Sequence, residues 1–282
     1  VETGNGSRRG LHGESFDQDA EKLDSRLSSA LRTTHVILPA YNEEQSLPPL
    51  LSRLSSFSES NRLQMIVWIV DDGSTDGTGD VAARGSEGLS VKLVTHPRNL
   101  GLGQALHSGL REMLRVAATD DVAVVMDADD THDVNLIMLM LERIDQGADL
   151  VVGSRFVEGG DDSTAPPLRR FLSRGAAKLF RTALPVAGIR DFTSGYRAYR
   201  TDLLRRATSH WGERIIEERG FACMVELLLK LRWCNPTISE VPLALRYDRK
   251  QGASKLKILR TIVQYIRLAF RDRLSPPPYR QL

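Results

Sequence analysis

The sequence predicts an α/β fold, a mostly parallel sheet covered by helices on both faces. Three observations predict it. From residue 35 onward, short apolar runs alternate with segments of helical period, the signature of β–α–β units. The runs are continuously apolar, as in strands buried on both sides. Carboxylates and turn residues gather just past the runs, and in such sheets ligands bind beyond the carboxyl ends of the strands.

The first run, HVILPA (35–40), continues as PAYNEEQS and leads into a helix expected near 44–57. A dinucleotide site would place a glycine fingerprint there, and none is present. GLGQALHSG (101–109) holds only part of one and follows the third strand, and no P-loop pattern occurs. The second run, QMIVWIV (64–70), ends in VDDGSTDGTGD (70–80), before a helix near 75–85. Asp76 or Thr75 is expected to cap that helix. Asp71 and Asp72 are left at the strand end, where a carboxylate can bind a ribose hydroxyl or a base N–H.

The third run is VKLVTH (91–96), with a helix near 102–117 after it. The fourth, DVAVVMD (121–127), delivers four carboxylates within seven positions: Asp127, Asp129, Asp130 and Asp133. In an extended segment Asp127 and Asp129 point to the same side. Such a pair suits a hard divalent cation, Mg²⁺ or Mn²⁺, shared with substrate phosphates. Thr131 and His132 are candidates to complete the shell, while Asp130 and Asp133 can equally serve as solvated or helix-capping groups. A helix is expected near 134–146, and the fifth run, ADLVVGS (148–154), places Arg155 at the ligand edge.

Beyond residue 155 the pattern changes. VEGGDDSTAPP (157–167) reads as a mobile loop, followed by helices at 168–183 and 220–233 and a strand near 237–246. Glu226, in an otherwise apolar helix, reads as a buried partner for an arginine. The segment 249–273 is a basic amphipathic helix, with Leu256, Leu259, Val263, Ile266 and Phe270 on its apolar side. Such a helix either lies on an anionic membrane surface or packs on the domain, and its pattern leaves both open.

The totals are those of a globular protein: 282 residues, 41% hydrophobic, 26% charged, with a net charge of +2. Two cysteines, Cys223 and Cys234, form no metal or disulfide framework, which fits a reducing compartment. No apolar run reaches the ~18–20 residues of a membrane span. Residues 1–32 lack an apolar signal core and read as a flexible polar arm. The basic segment is short and poor in interleaved aromatics, so no nucleic-acid partner is expected.

Eight motifs in order, PAYNEE, VDDGSTDGT, RNLGLGQAL, MDADDTH, VVGSRF, DFTSGYRAYR, GFACMVELL and RKQGASK, resemble the family 2 glycosyltransferases. Among these the chain is most similar to dolichol-phosphate mannose synthases and related polyprenyl-phosphate glycosyltransferases, over about residues 33–260. The resemblance implies a GT-A, Rossmann-like domain over 33–248, with 249–282 completing the acceptor site. It implies that Pro39, Tyr41, Glu43, Val70 and Asp72 line the nucleotide pocket. Asp127, Ala128 and Asp129 would meet the donor diphosphate, with Asp127, Asp129 and Thr131 at the metal. Asp129 and the cations Arg155, Arg169, Arg249 and Lys255 would form the transfer machinery. Asp191 and Ser194 are further candidates for contacts to acceptor or sugar.

The implied reaction is inverting transfer of a sugar, most simply mannose from GDP-mannose, to a polyprenyl or dolichyl phosphate. Two phosphorylated substrates side by side need more neutralisation than one metal supplies, and arginine provides it bidentately. A phosphate acceptor is already ionised and needs no general base. The implied setting is peripheral, at the cytoplasmic face of a membrane. The alternatives are a UDP-glucose donor, a saccharide acceptor, or a nucleotide-sugar-binding module without turnover. The saccharide-acceptor enzymes carry a QxxRW pattern that is absent here.

Overall fold

In the computed structural model, which describes residues 32–165, 167–183, 186, 188–249, 261, 263–268 and 270, the apolar runs form one seven-stranded sheet. The strands are β1 (Thr33–Ala40), β2 (Gln64–Asp71), β3 (Ser90–Thr95), β4 (Val122–Val125), β5 (Leu150–Ser154), β6 (Arg197–Arg200) and β7 (Ile238–Pro242). Their order is β3-β2-β1-β4-β6-β5-β7. All neighbours are parallel except β6, which runs antiparallel to β4 and β5.

The helices are α1 (Leu47–Asn61), α2 (Thr78–Arg84), α3 (Leu102–Leu114), α4 (Leu136–Asp145), α5 (Pro167–Ala183), α6 (Thr201–Trp211) and α7 (Ala222–Leu231). Side-chain alternation along the strands divides the core into two layers. Val36 and Leu38 of β1 join Leu50, Leu54, Ile137 and Met140 under α1, α2 and α4. Ile37 and Val125 face the other way, onto Leu106, Leu110, Leu204 and Leu228 of α3, α6 and α7. Helices on both faces are therefore what the sequence leads one to expect.

Local chemistry sets the ends of these elements. Prolines stand in the first turn of α1, where an amide has no helical partner to lose. Gly73, at φ +67°, turns the chain out of β2; a Cβ there would stand 2.3 Å from the carbonyl carbon of Arg98, so no larger residue fits. At the opposite edge of the sheet, Trp68 Nε1 donates to His35 Nδ1 at 3.1 Å. The ring proton must then sit on Nε2, facing Asp121 Oδ2 at 3.1 Å.

Three expectations need correction, and two elements were not expected. β3 is an edge strand with half-exposed and exposed residues, not a strand buried on both sides. β6 and α6 had no expectation at all: RAYR is too short and too charged to read as a strand. Residues 157–165, read as a mobile loop, are pinned to the segment after β7. The amide of Asp161 donates to Leu243 O at 2.9 Å, and Thr164 Oγ1 donates to Leu245 O at 2.6 Å. Glu226 is buried, but its partner is Lys230 at 2.9 Å rather than an arginine. Glu226 also accepts the amides of Glu217 and Glu218, at 2.9 and 2.7 Å.

Of the 1–32 arm only Arg32 is described, and it is ion-paired with Asp145. In the C-terminal segment, residues 261–270 include helical positions whose two sides differ. Tyr265 and Leu268 join the core, with Tyr265 edge-on to Phe180 of α5 at 5.1 Å. Val263, Ile266 and Phe270 are exposed. No helix among the described residues is long and apolar enough to cross a membrane.

Candidate active site

The carboxyl ends of β1, β2 and β4 deliver their loops to one edge of the sheet. The loops after β1 and β2 are stitched together there. Asn42 N donates to Ser74 Oγ at 2.9 Å, Glu43 N to Thr78 Oγ1 at 2.7 Å, and Thr75 N to Asn42 Oδ1 at 2.8 Å. Neither Asp76 nor Thr75 is the cap expected of them: α2 begins after Gly77, with no side-chain cap, and Asp76 accepts the Thr78 amide at 3.0 Å from one position further out. Burial works to raise its pKa, but the Thr78 bonds outweigh this and hold it below the usual carboxylate range.

Beside these loops lies an open cleft, lined among others by Pro39, Asp127, Thr131, His132, Arg155, Thr193, Ser194, Met224 and Tyr247. The fold brings these together from six separate segments. β4 ends at Val125, so Asp127 and Asp129 do not lie in extended chain as expected. They belong to a turn that reaches φ +62° at Asp130. Asp127 is half-buried and faces the cleft; Asp129 is buried and accepts the Thr131 amide at 3.2 Å and its hydroxyl at 2.7 Å. Thr131 thus meets Asp129 directly, and its own amide-side carbonyl accepts the Arg246 amide at 3.0 Å.

His132 shapes this turn. Its Nδ1 accepts the Asp127 amide at 3.2 Å, and its ring stacks on Tyr196, centroids 4.7 Å apart. Asp130 is ion-paired with Arg53 of α1. Burial, followed by the nearby Arg249, lowers the Arg53 pKa. Asp133 accepts the Asn135 amide at 3.1 Å and caps the approach to α4.

Arg155 lines the cleft but is not a free cation. Nε and Nη2 each reach Asp191 at 2.7 Å, and Nη2 also reaches Thr193 Oγ1 at 2.7 Å. Asp191 is fully buried. Burial would raise its pKa, yet the adjacent guanidinium dominates and lowers it; on Arg155 the same pair outweighs desolvation and raises the pKa. Asp191 is accordingly the group that aims Arg155, leaving Nη1 outside the pair. Ser194 lies alongside, its amide 3.1 Å from Asp191 Oδ1.

The nucleotide-pocket candidates divide. Pro39 lines the cleft; Tyr41 and Glu43 are half-buried on the stitched loop. Val70 and Ala128 point their side chains into the core. Asp72 is turned inward: its Oδ1 meets His96 Nδ1 at 2.7 Å and the Leu100 amide at 2.9 Å, and its Oδ2 accepts the Gly101 amide at 2.8 Å. His96 in turn meets Ser108 Oγ at 2.9 Å through Nε2. The side chain of Arg169 and all of Lys255 lie outside the described residues.

The α3 N-terminus is closed to phosphate. Gly103 N donates to Arg219 O at 3.0 Å, so the GLGQAL glycines serve backbone packing. Sequence reasoning missed His96 and Arg53 as shaping groups. Of these, His96 carried a signal, since it closes the third apolar run.

The chemistry of the donor set fits a divalent cation. Asp127 offers hard oxygen donors at the cleft with Asp129 buried behind it, and among the described residues no group of three or more His, Cys, Asp or Glu forms a protein cage. Such a set suits an ion shared with a diphosphate.

The pattern of the family described as Glycosyl transferase family 2 matches residues 35–207. The chain belongs to that family, and it is a glycosyltransferase. It is 34% identical over 237 residues to a dolichol-phosphate mannosyltransferase of Pyrococcus furiosus, covering 84% of this chain and 62% of that protein. The chain thus spans under two thirds of that relative. It is 37% identical over 222 residues to an undecaprenyl-phosphate mannosyltransferase of Micrococcus luteus, covering 78% and 86%. Among solved structures, glucosyl-3-phosphoglycerate synthase of Mycobacterium tuberculosis, bound to Mn²⁺, UDP and product, superposes with a TM-score of 0.61. Identity there is 20%, covering 96% of this chain and 86% of that one, a likeness of the GT-A fold.

Proposed function

We propose that this glycosyltransferase moves a sugar, most simply mannose from GDP-mannose, onto a polyprenyl phosphate, with inversion to a β-linked product. The observation that carries the reading is that Asp127 and Arg155 face one cleft, an acid for a metal beside a cation for phosphate. Relatives at 34–37% identity that are named for lipid-phosphate acceptors support it.

A Mg²⁺ or Mn²⁺ held by Asp127, with Asp129 beside it, would supply Lewis-acid stabilisation of the departing nucleoside diphosphate. The rest falls to the chain's own groups. His132 and Tyr196 hold the Asp127 backbone in place. Thr131 restrains the Asp129 carboxylate. Arg155, aimed by Asp191, presents Nη1 to a phosphate oxygen. Arg249, with Arg169 and Lys255, holds the acceptor. An ionised phosphate attacks without a base, so positioning and neutralisation carry the catalysis. Pro39, Tyr41, Glu43, the Val70 and Ala128 backbone and Asp72 frame the nucleotide.

The acceptor's lipid calls for a membrane surface. Phe171 of α5 and Val263, Ile266 and Phe270 of the C-terminal helix expose apolar side chains, with Arg267 exposed among them. The Phe180–Tyr265 contact makes the two helices neighbours. We place the protein at the cytoplasmic face.

The test is a transfer assay with purified protein, Mn²⁺ or Mg²⁺, and a short polyprenyl phosphate, offering GDP-mannose and UDP-glucose in parallel. Metal-dependent product from GDP-mannose alone is the expected result. Product from UDP-glucose alone changes the donor and keeps the mechanism. No lipid product from either donor overturns the reading.

A further inference from the structure

Arg197 is a fully buried cation with no carboxylate partner among the described residues. It sits on β6, opposite Val125 of β4 and Val152 of β5, and its side chain enters the layer beneath α7. Nη1 donates to Met224 O at 2.6 Å and Nη2 to Phe192 O at 2.7 Å; Nε has no partner. Both carbonyls belong to walls of the cleft. Phe192 precedes the Thr193–Gly195 turn, and Met224 itself lines the cleft.

The Arg197 charge acts on Cys223, Tyr199 and Tyr265, whose pKa values burial pushes upward, so these three are neutral at pH 7; Glu226, Asp127 and Glu218 also act on Cys223, and of these Asp127 lines the cleft. The adjacent Arg155–Asp191 pair is balanced within itself. Within this wall the Arg197 guanidinium stands buried without an ion pair among the described residues. An unpaired charge in a low-dielectric interior is strongly unfavourable. Two carbonyls return part of that cost. The field of such a charge reaches well beyond contact distance, because little water screens it.

We propose that Arg197 is a positioning residue: its uncompensated charge holds phosphorylated ligands in the cleft without touching them, and those ligands supply its missing counter-charge. The identity of the ligands rests on the reading above; the electrostatic role does not. A fixed buried charge needs no reorganisation when the ligand arrives. The competing account is a brace, in which the guanidinium serves only to tie the two walls together.

Arg197→Met and Arg197→Lys separate the two. Methionine keeps the length and removes the charge; lysine keeps the charge and loses the fork. The measurements are thermal unfolding without ligand, calorimetric binding of inorganic pyrophosphate and of GDP with Mg²⁺, and the KM and kcat of transfer. The expected result is R197M folded and no less stable than wild type, binding both probes roughly tenfold more weakly, with KM raised more than kcat falls. R197K should recover most of the affinity. R197M that unfolds, R197M that binds pyrophosphate like wild type, or R197K as impaired as R197M would each overturn the proposal in favour of a brace. If wild type yields no lipid product, the transfer reading fails, yet the pyrophosphate comparison still decides the role of Arg197.

Discussion

Tyr196 lies flat against His132, with ring centroids 4.7 Å apart and planes 15° from parallel. His132 accepts the amide of Asp127, and Tyr196 Oη donates to Asp133 O at 3.0 Å. A stacked pair from two distant segments thus holds both ends of the acidic turn. Tyr196→Phe keeps the stack and loses one hydrogen bond, an expected cost of about 1 kcal/mol with transfer largely retained. Tyr196→Ala removes the ring, at roughly 3–5 kcal/mol, and should release the turn. Denaturant unfolding alongside transfer rates checks both, and equal effects from the two variants would refute the role of the stack.

Asp127 is half-exposed at the cleft and Asp129 is buried behind it. Asp127→Asn should therefore leave stability within about 0.5 kcal/mol of wild type. Metal-dependent transfer should fall at least about 100-fold, the upper end of what outer-shell changes cost. A variant that loses stability instead would show Asp127 to be structural.

Asp191 and Arg155 form a buried bidentate pair. Removing the acid in Asp191→Ala leaves the cation unpaired, for an expected loss of about 3–5 kcal/mol. The pH dependence has a definite sign. The Asp191 pKa is lowered in the fold, so its contribution is present above the unfolded value of about 3.9 and is lost as pH falls through the folded one. Stability measured below pH ~4 should drop more steeply in wild type than in Asp191→Asn.

Glu240 has the opposite sign. Burial raises its pKa despite amide hydrogen bonds from Asp191 and Arg190, at 2.8 and 2.9 Å. Its favourable contribution is full below about pH 4.3 and declines as pH rises through the folded pKa. Glu240→Gln can still accept both amides and has no charge to bury. It should match wild type at acid pH and exceed it at neutral pH, by denaturant unfolding across the range.

Gly103 sets helix propensity against close packing. Alanine would favour the helix by up to about 1 kcal/mol. Its Cβ, however, would stand 1.8 Å from Glu218 O, and overpacking costs about 1–3 kcal/mol or more. The clash should win, with Gly103→Ala less stable than wild type in thermal unfolding.

Much of this protein was legible in its residue order. The four strands that carry the ligand edge announced themselves as apolar runs, because buried parallel strands must be apolar on both faces. The loops after them were legible as functional for a topological reason: the right carboxyl ends converge at one edge. Asp127 was found this way, and Arg155 too. What stayed hidden had no periodic signal. β6 is four residues with a charged first position, and its antiparallel insertion between β4 and β5 reflects packing rather than propensity.

The sequence by itself determined the fold class, the order of the motifs and the family. Tertiary structure alone decided which charges are free. Arg155 looked like an open phosphate ligand until Asp191, 36 positions away, took two of its nitrogens. Asp72 looked like a nucleotide contact until His96 and two amides surrounded it. Asp130 found Arg53 of α1, 77 positions earlier in the chain. Local patterns encode periodicity and caps, since those depend on neighbours in the chain. The state of a buried charge depends on every group within a few ångströms in space, and only the folded arrangement of strands and helices brings those groups together.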